Sequence, residues 1–154
     1  MKYLNIGDQA PEFTSVNQYG DPVSLTEFAG KKVVIYFYPK DNTPGCTAQA
    51  CNIRDNYEAI QHEGIVILGV SADVEKKHLS FIKKYTLPFS LLADTEKELL
   101  NLYGVWGTKK FMGKTYNGIH RTTFILGEDH KILAIIEKPK TKDHTREILE
   151  VYKA

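Results

Sequence analysis

Apolar positions along the chain switch between two rhythms. KKVVIYFYP (31–39) and GIVILGVSAD (64–73) are near-continuous β-branched and aromatic runs, the pattern of strands buried on both faces of a sheet. Pro39 ends the first, since proline cannot donate to a ladder. Between them, CTAQACNIRDNYEAIQHEG places Ala50, Ile53, Tyr57 and Ile60 at three- and four-residue steps. That spacing predicts one helix, beginning near Gly45 and stopped at Gly64. VEKKHLSFIKKYT (74–86) reads as an amphipathic helix and LPFSLLAD (87–94) as a short strand. TEKELLNLYG (95–104) reads as a helix with Thr95 as N-cap and Gly104 as its end. RTTFILGEDHKILAIIEK (121–138) gives two strands around a Gly-Glu-Asp turn, and DHTREILEVYKA (143–154) a closing helix with Ile148, Leu149 and Tyr152 toward the sheet. Near the start, FTSVNQYGDPVSL (13–25) predicts a hairpin about Gly-Asp-Pro. Strand–helix alternation followed by a late hairpin and helix implies an α/β sandwich: a mixed central sheet flanked by helices, with an added N-terminal β-hairpin.

Composition narrows the function classes. The chain has 154 residues, 42% hydrophobic and 25% charged, without repeats or a Pro/Gly-rich linker, so residues 1–154 read as one domain. A net charge of +1 provides no field for nucleic acid or an acidic membrane surface. No apolar run suits a leader or a span, which leads us to expect a cytoplasmic protein. In that reducing setting two cysteines are more often free or catalytic than a structural staple. Metal chemistry is not indicated, because C-x4-C without a second cysteine pair, beside five scattered histidines, supplies no tetrahedral site.

The two cysteines stand together in YFYPKDNTPGCTAQAC (36–51). A helix beginning near Gly45 puts Cys46 in its first turn, where unpaired backbone N–H groups and the positive end of the dipole favour a thiolate, the nucleophilic form. The plainer alternative is a small buried apolar residue, which the polar neighbours Asn42, Thr43 and Thr47 weaken. Five positions along a regular helix turn the chain by roughly 140° and separate the two Cα atoms by about 8–9 Å. A disulfide needs Cα atoms within about 7 Å, so Cys46 and Cys51 cannot bridge while the helix is intact. Either the thiols are unrelated, or they meet when the first turns unwind. The second possibility suits a two-stage reaction in which sulfur attacks a peroxide and the resulting sulfenic acid condenses with the other thiol. Such chemistry needs a cation, for which Arg54, Arg121 and Arg146 are candidates; Arg121 opens the apolar strand TTFIL.

PKDNTPGCT (39–47) matches the peroxiredoxin signature P-x-x-x-T-x-x-C. With Cys51 five positions on, the chain resembles the bacterioferritin comigratory protein or Q-type subgroup. GDQAPEF, SADVEKKHLSF, LLAD and YGVWGTKKFMGKTYNGIHRTTFIL follow in the expected order, so the resemblance spans nearly the whole chain. It implies a thioredoxin-like fold and an atypical two-Cys peroxidase acting on hydrogen peroxide and organic hydroperoxides. By position, Cys46 would be the peroxidatic cysteine and Cys51 the resolving one. Thr43 would hydrogen-bond thiolate and peroxide, Pro39 would shield the pocket from water, and Arg121 would lie beside the sulfur. The resemblance also implies recycling by thioredoxin or a similar dithiol, no cofactor, and a monomer, since no third cysteine offers an intersubunit bridge. Trp106 in YGVWG reads either as a residue packed beside the pocket or, more commonly for a lone tryptophan, as core, and Tyr38, next to Pro39, reads equally as lining the entrance or as core. Two rival readings are a dithiol oxidoreductase or sensor, and a non-catalytic interaction protein on the same scaffold.

Overall fold

The computed structural model describes residues 4–154. The N-terminal hairpin consists of β1 (Thr14–Val16) and β2 (Pro22–Ser24), followed by a 3₁₀ turn at Leu25–Phe28. The central sheet takes β3 (Lys32–Phe37) and β4 (Ile65–Ser71) from the two apolar runs, then β5 (Ser90–Ala93), β8 (Thr122–Leu126) and β9 (Ile132–Glu137). Its strand order is β5-β4-β3-β8-β9; β3, β4 and β5 are parallel neighbours, while β8 and β9 join antiparallel. The helices are α1 (Pro44–Asp55), α2 (Tyr57–His62), α3 (Glu75–Tyr85), α4 (Glu98–Leu102) and α5 (His144–Lys153).

Successive side chains of a strand point to opposite faces, so β3 serves two cores at once. Val33, Ile35 and Phe37 pack with Leu92, Leu99, Leu100 and Tyr103 on the α4 side. Val34, Tyr36 and Tyr38 pack with Ala50, Ile53, Ile60, Phe81 and Ile148 beneath α1, α2, α3 and α5. Burial on both faces explains the unbroken apolar run, and the mixed α/β fold matches the sequence expectation.

Gly69, opposite Tyr36 in the β3–β4 register, makes room for that aromatic ring. A Cβ there would lie 2.7 Å from Leu91 Cδ2 and 2.9 Å from Tyr36 Cζ. Gly69→Ala is expected to cost about 1–3 kcal/mol by overpacking. Urea and thermal unfolding check this, since about 1 kcal/mol shifts Tm by roughly 2–4 °C at this size; an unchanged midpoint would refute it.

Three local features differ from the sequence pattern. The long helix starts one residue earlier, at Pro44, and breaks at Asn56, whose side chain donates to the Asn52 carbonyl while its backbone leaves helical geometry. Thr95 does not cap α4. The carboxylate of Asp94 does, accepting from the N–H groups of Leu99 (3.2 Å) and Leu100 (2.7 Å), and Lys97 takes the left-handed N-cap position. A second hairpin, β6 (Trp106–Phe111) with β7 (Lys114–Ile119), has no counterpart in the pattern, because its residues are largely exposed. Its two-residue turn, Met112-Gly113, has positive φ at both positions, a geometry usually signalled by Asn-Gly or Asp-Gly.

Candidate active site

β3 ends at Phe37, and six residues later the chain enters α1 with Thr43 at the N-cap and Pro44 at its first position, where a missing N–H costs nothing. Cys46 therefore lies in the first turn, aimed inward and only 2% exposed. β8 runs antiparallel beside β3 with Thr122 opposite Phe37, so the residue entering β8, Arg121, arrives at the same end of the sheet. Its Nη2 donates to Cys46 Sγ at 3.2 Å, and its Nη1 donates to Gln49 Oε1 at 2.6 Å. Gly45 permits the approach: a Cβ there would stand 3.2 Å from the same Nη2.

Gln49 is fully buried and was not a sequence candidate. The available signal was its place three residues after Cys46, on the same helical face. By holding the second arm of the guanidinium, it fixes the plane in which Arg121 meets the sulfur. Thr43 is half-buried, and its hydroxyl donates to the Lys40 carbonyl (2.9 Å) rather than to sulfur. Pro39 is half-buried in the loop between β3 and α1. Cys51, on the same helix as Cys46, is half-buried, and both thiols are free.

The AhpC/TSA family matches residues 6–135. A putative peroxiredoxin bcp of Haemophilus influenzae is 49% identical over 150 residues, covering 97% of each chain. Peroxiredoxin Bcp of Escherichia coli is 46% identical over 144 residues, 94% of this chain and 92% of that one. Among solved structures, a cysteine-to-serine mutant of Xylella fastidiosa PrxQ superposes with a TM-score of 0.91 at 29% identity, covering 99% of this chain and 98% of that one. The chain belongs to the AhpC/TSA family, as a peroxiredoxin of the Bcp type. It is accordingly a thiol peroxidase on a thioredoxin-like fold, a class that takes peroxide substrates and a thiol reductant.

Behind the loop of this peroxiredoxin is a buried polar cluster that the sequence did not announce. Tyr38 Oη donates to Asp41 Oδ1 (2.5 Å), His78 Nδ1 meets Asp41 Oδ2 (2.6 Å), and His78 Nε2 meets the Leu92 carbonyl (2.9 Å). Burial, then the Asp41 charge, pushes the Tyr38 phenol well above its ordinary pKa, so it remains a donor. The Asp41 N–H and the Ser71 hydroxyl both donate to Asp73 Oδ2 at 2.8 Å. Asp41, Asp73 and His78 have donor atoms close enough to surround a cation. Each already has a hydrogen-bond partner, and both His78 nitrogens face oxygens, so the set fits a clamp and not a metal.

The other two arginines bond groups other than the sulfur. Arg54 bonds Asp55 and the Tyr85 carbonyl, and Arg146 pairs with Asp143 and Glu150. Trp106 packs against the α4-side core beneath Lys97, and Tyr38 is buried in the core that also holds Cys46, not at an entrance.

On the same face of the sheet as Cys46, beneath α5, His144 Nε2 accepts from the Thr123 hydroxyl (2.9 Å) while Nδ1–H donates to Glu147 Oε1 (2.9 Å), which suits a neutral ring. Burial pushes its pKa down, and Glu147 opposes only part of that shift. As pH falls through about 6.5 the unfolded imidazole takes a proton before the native one. Stability therefore rises with pH between the lowered native value and about 6.5, and is lost below that window. The free energy of urea unfolding is expected to fall more between pH 7.5 and 5.5 in the wild type than in His144→Gln; equal slopes would remove His144 from the account.

Proposed function

We propose that this peroxiredoxin reduces hydrogen peroxide and organic hydroperoxides by a two-cysteine cycle within one chain. Cys46 thiolate attacks the terminal oxygen of ROOH; the S–O bond forms as the O–O bond breaks, and the departing oxygen takes a proton to leave as ROH. Cys46 becomes a sulfenic acid. Cys51 then attacks that sulfur, the S–O bond breaks, and the oxygen leaves as water with the thiol proton, giving a Cys46–Cys51 disulfide. A dithiol, which we take to be thioredoxin, returns both cysteines to thiols and is itself oxidised.

The observation that carries this reading is the Arg121 guanidinium donating to Cys46 Sγ at 3.2 Å in the first turn of α1. There it faces both charge on sulfur and charge developing on the departing oxygen. Thr43 spends its hydrogen on the Lys40 carbonyl, so what it offers a peroxide is a lone pair to accept the peroxide O–H. We assign Pro39, half-buried in the loop before α1, the role of shielding that approach from water. A Xanthomonas campestris bacterioferritin comigratory protein, 33% identical with a TM-score of 0.85 over 92% of this chain and 90% of that one, is described by its alkyl peroxide reduction activity, which supports organic substrates here. We further read residues 1–154 as one domain, acting as a monomer because both thiols lie on one helix. Among the described residues no helix is long and apolar enough to cross a membrane, which accords with the proposed cytoplasmic setting.

Mixing reduced protein with one equivalent of peroxide, with intact mass as readout, tests the cycle. The wild type should lose two hydrogens, whereas Cys51→Ser should stop one oxygen heavier, at the sulfenic acid. Oxidation no faster than that of an ordinary free thiol would move the assignment to disulfide exchange.

A further inference from the structure

For Cys46 to meet Cys51, α1 must open, and the fold determines how far. On the N-terminal side, Asp41 and Asn42 in the loop before α1 are held by groups outside that helix. Asp41 is gripped by Tyr38, His78 and Asp73, and His78 is tied in turn to the β5 carbonyl of Leu92. Asn42, in the left-handed region at φ 61°, accepts from Tyr85 Oη (3.1 Å) at the end of α3. These anchors come from the residue after β3, the loop after β4, and from α3 and β5.

On the C-terminal side, the residue directly after Cys51 is pinned to the start of α5. Asn52 Nδ2 donates to the Lys142 carbonyl (2.9 Å), Asn52 Oδ1 accepts from the Thr145 N–H (2.8 Å), and the Asn52 carbonyl accepts from Thr145 Oγ1 (3.2 Å). Ile53 and Ile60 follow, both fully buried.

Between these anchors lies PGCTAQAC (44–51), whose buried side chains are only Cys46, Gln49 and Ala50. Opening this stretch exposes no large apolar group, whereas continuing past Asn52 would pull Ile53 from the core. As helix, the nine steps from Thr43 to Asn52 cover about 13–14 Å, and as extended chain they reach about 30 Å, so the segment has ample slack with both ends fixed.

We propose that Asn52 and the Asp41–His78 pair are positioning residues for the two steps of the cycle, confining the unwinding to residues 44–51. This rests on the reading of Cys51 as the resolving cysteine. Because Cys51 adjoins a fixed residue, Cys46 is the sulfur that travels, leaving Arg121 and approaching a thiol held in place. Asn52 thereby serves the condensation step, by keeping its target localised, and His78 serves the peroxide step, by keeping Pro39 and Thr43 in place around Cys46.

Residue-resolved amide exchange on the full chain, reduced and after one equivalent of hydrogen peroxide, tests the boundaries. The Thr145 amide reports the Asn52 anchor and the Asp41 amide reports the loop anchor. On oxidation, amides within 47–51 should lose protection while Thr145 and Asp41 keep theirs within about tenfold. Stopped-flow kinetics then separates the roles. Asn52→Ala should slow disulfide formation roughly tenfold and leave sulfenic acid formation unchanged, whereas His78→Gln should slow sulfenic acid formation roughly tenfold and leave the condensation unslowed. A general loss of stability would not divide the steps in this way. Loss of Thr145 or Asp41 protection on oxidation, or equal effects of each variant on both steps, overturns the positioning inference while the disulfide cycle stands. A wild type that forms no disulfide overturns the resolving role of Cys51 and the inference with it.

Discussion

Cys46→Ser is expected to reduce peroxide consumption to the uncatalysed background, the largest effect any single substitution should have. The variant keeps the shape of the first turn of α1, including the N-cap at Thr43 and the inward direction of the side chain. It also keeps Arg121 beside the substituted atom, so electrostatics and access are nearly intact. Only the polarisable, ionisable sulfur is lost, and a serine hydroxyl has no comparable nucleophilic form near neutrality. Removing a nucleophile that acts as one unit with its partners can cost on the order of 10^6 in rate. Stopped-flow mixing with hydrogen peroxide, beside Cys51→Ser as the variant that should still complete one oxidation, provides the check. A Cys46→Ser protein within tenfold of wild type would place the reaction elsewhere.

The cysteine pair was legible because its chemistry is local: a Pro-Gly entry, a thiol in the first turn, and a helical offset too long for a bridge all follow from consecutive residues. The two apolar runs were legible for a similar reason, since burial on both faces leaves an uninterrupted pattern in one dimension. Gln49 was harder to see. Its function depends on a guanidinium 72 positions away, brought near by antiparallel pairing of β8 with β3, and a lone glutamine in a helix carries no sign of that. The Tyr38–Asp41–His78 clamp joins residues up to 40 positions apart, and His78 within KKHLS looks like any polar residue on an amphipathic helix until both its nitrogens are seen to be occupied. The cap of α4 went to Asp94 because a carboxylate one residue earlier reached two N–H groups at once, a choice that loop geometry makes and residue preference does not. Arg121 falls between these cases: the family resemblance singled it out, while composition and spacing alone left it level with Arg54 and Arg146.

The second large effect should follow from Arg121→Gln, which we expect to lower the rate constant for Cys46 oxidation by about 10²–10³, the scale seen when one donor to a developing negative charge is removed. Arg121 touches two groups, Cys46 Sγ at 3.2 Å and Gln49 Oε1 at 2.6 Å, and the planar fork of the guanidinium is what allows one side chain to serve both. Arg121→Lys retains a positive charge as a compact point and lacks that fork, so it should recover only part of the loss. Comparing oxidation by peroxide with alkylation by iodoacetamide separates two contributions. Alkylation depends on charge held at sulfur and on access, whereas peroxide reduction also needs a partner for the oxygen that departs. If both reactions slow equally in Arg121→Gln, the guanidinium acts only on the resting sulfur. A larger loss with peroxide than with iodoacetamide would mean that Arg121 also meets the departing oxygen, and the part of that excess recovered in Arg121→Lys would then measure how much needs charge alone and how much needs the fork.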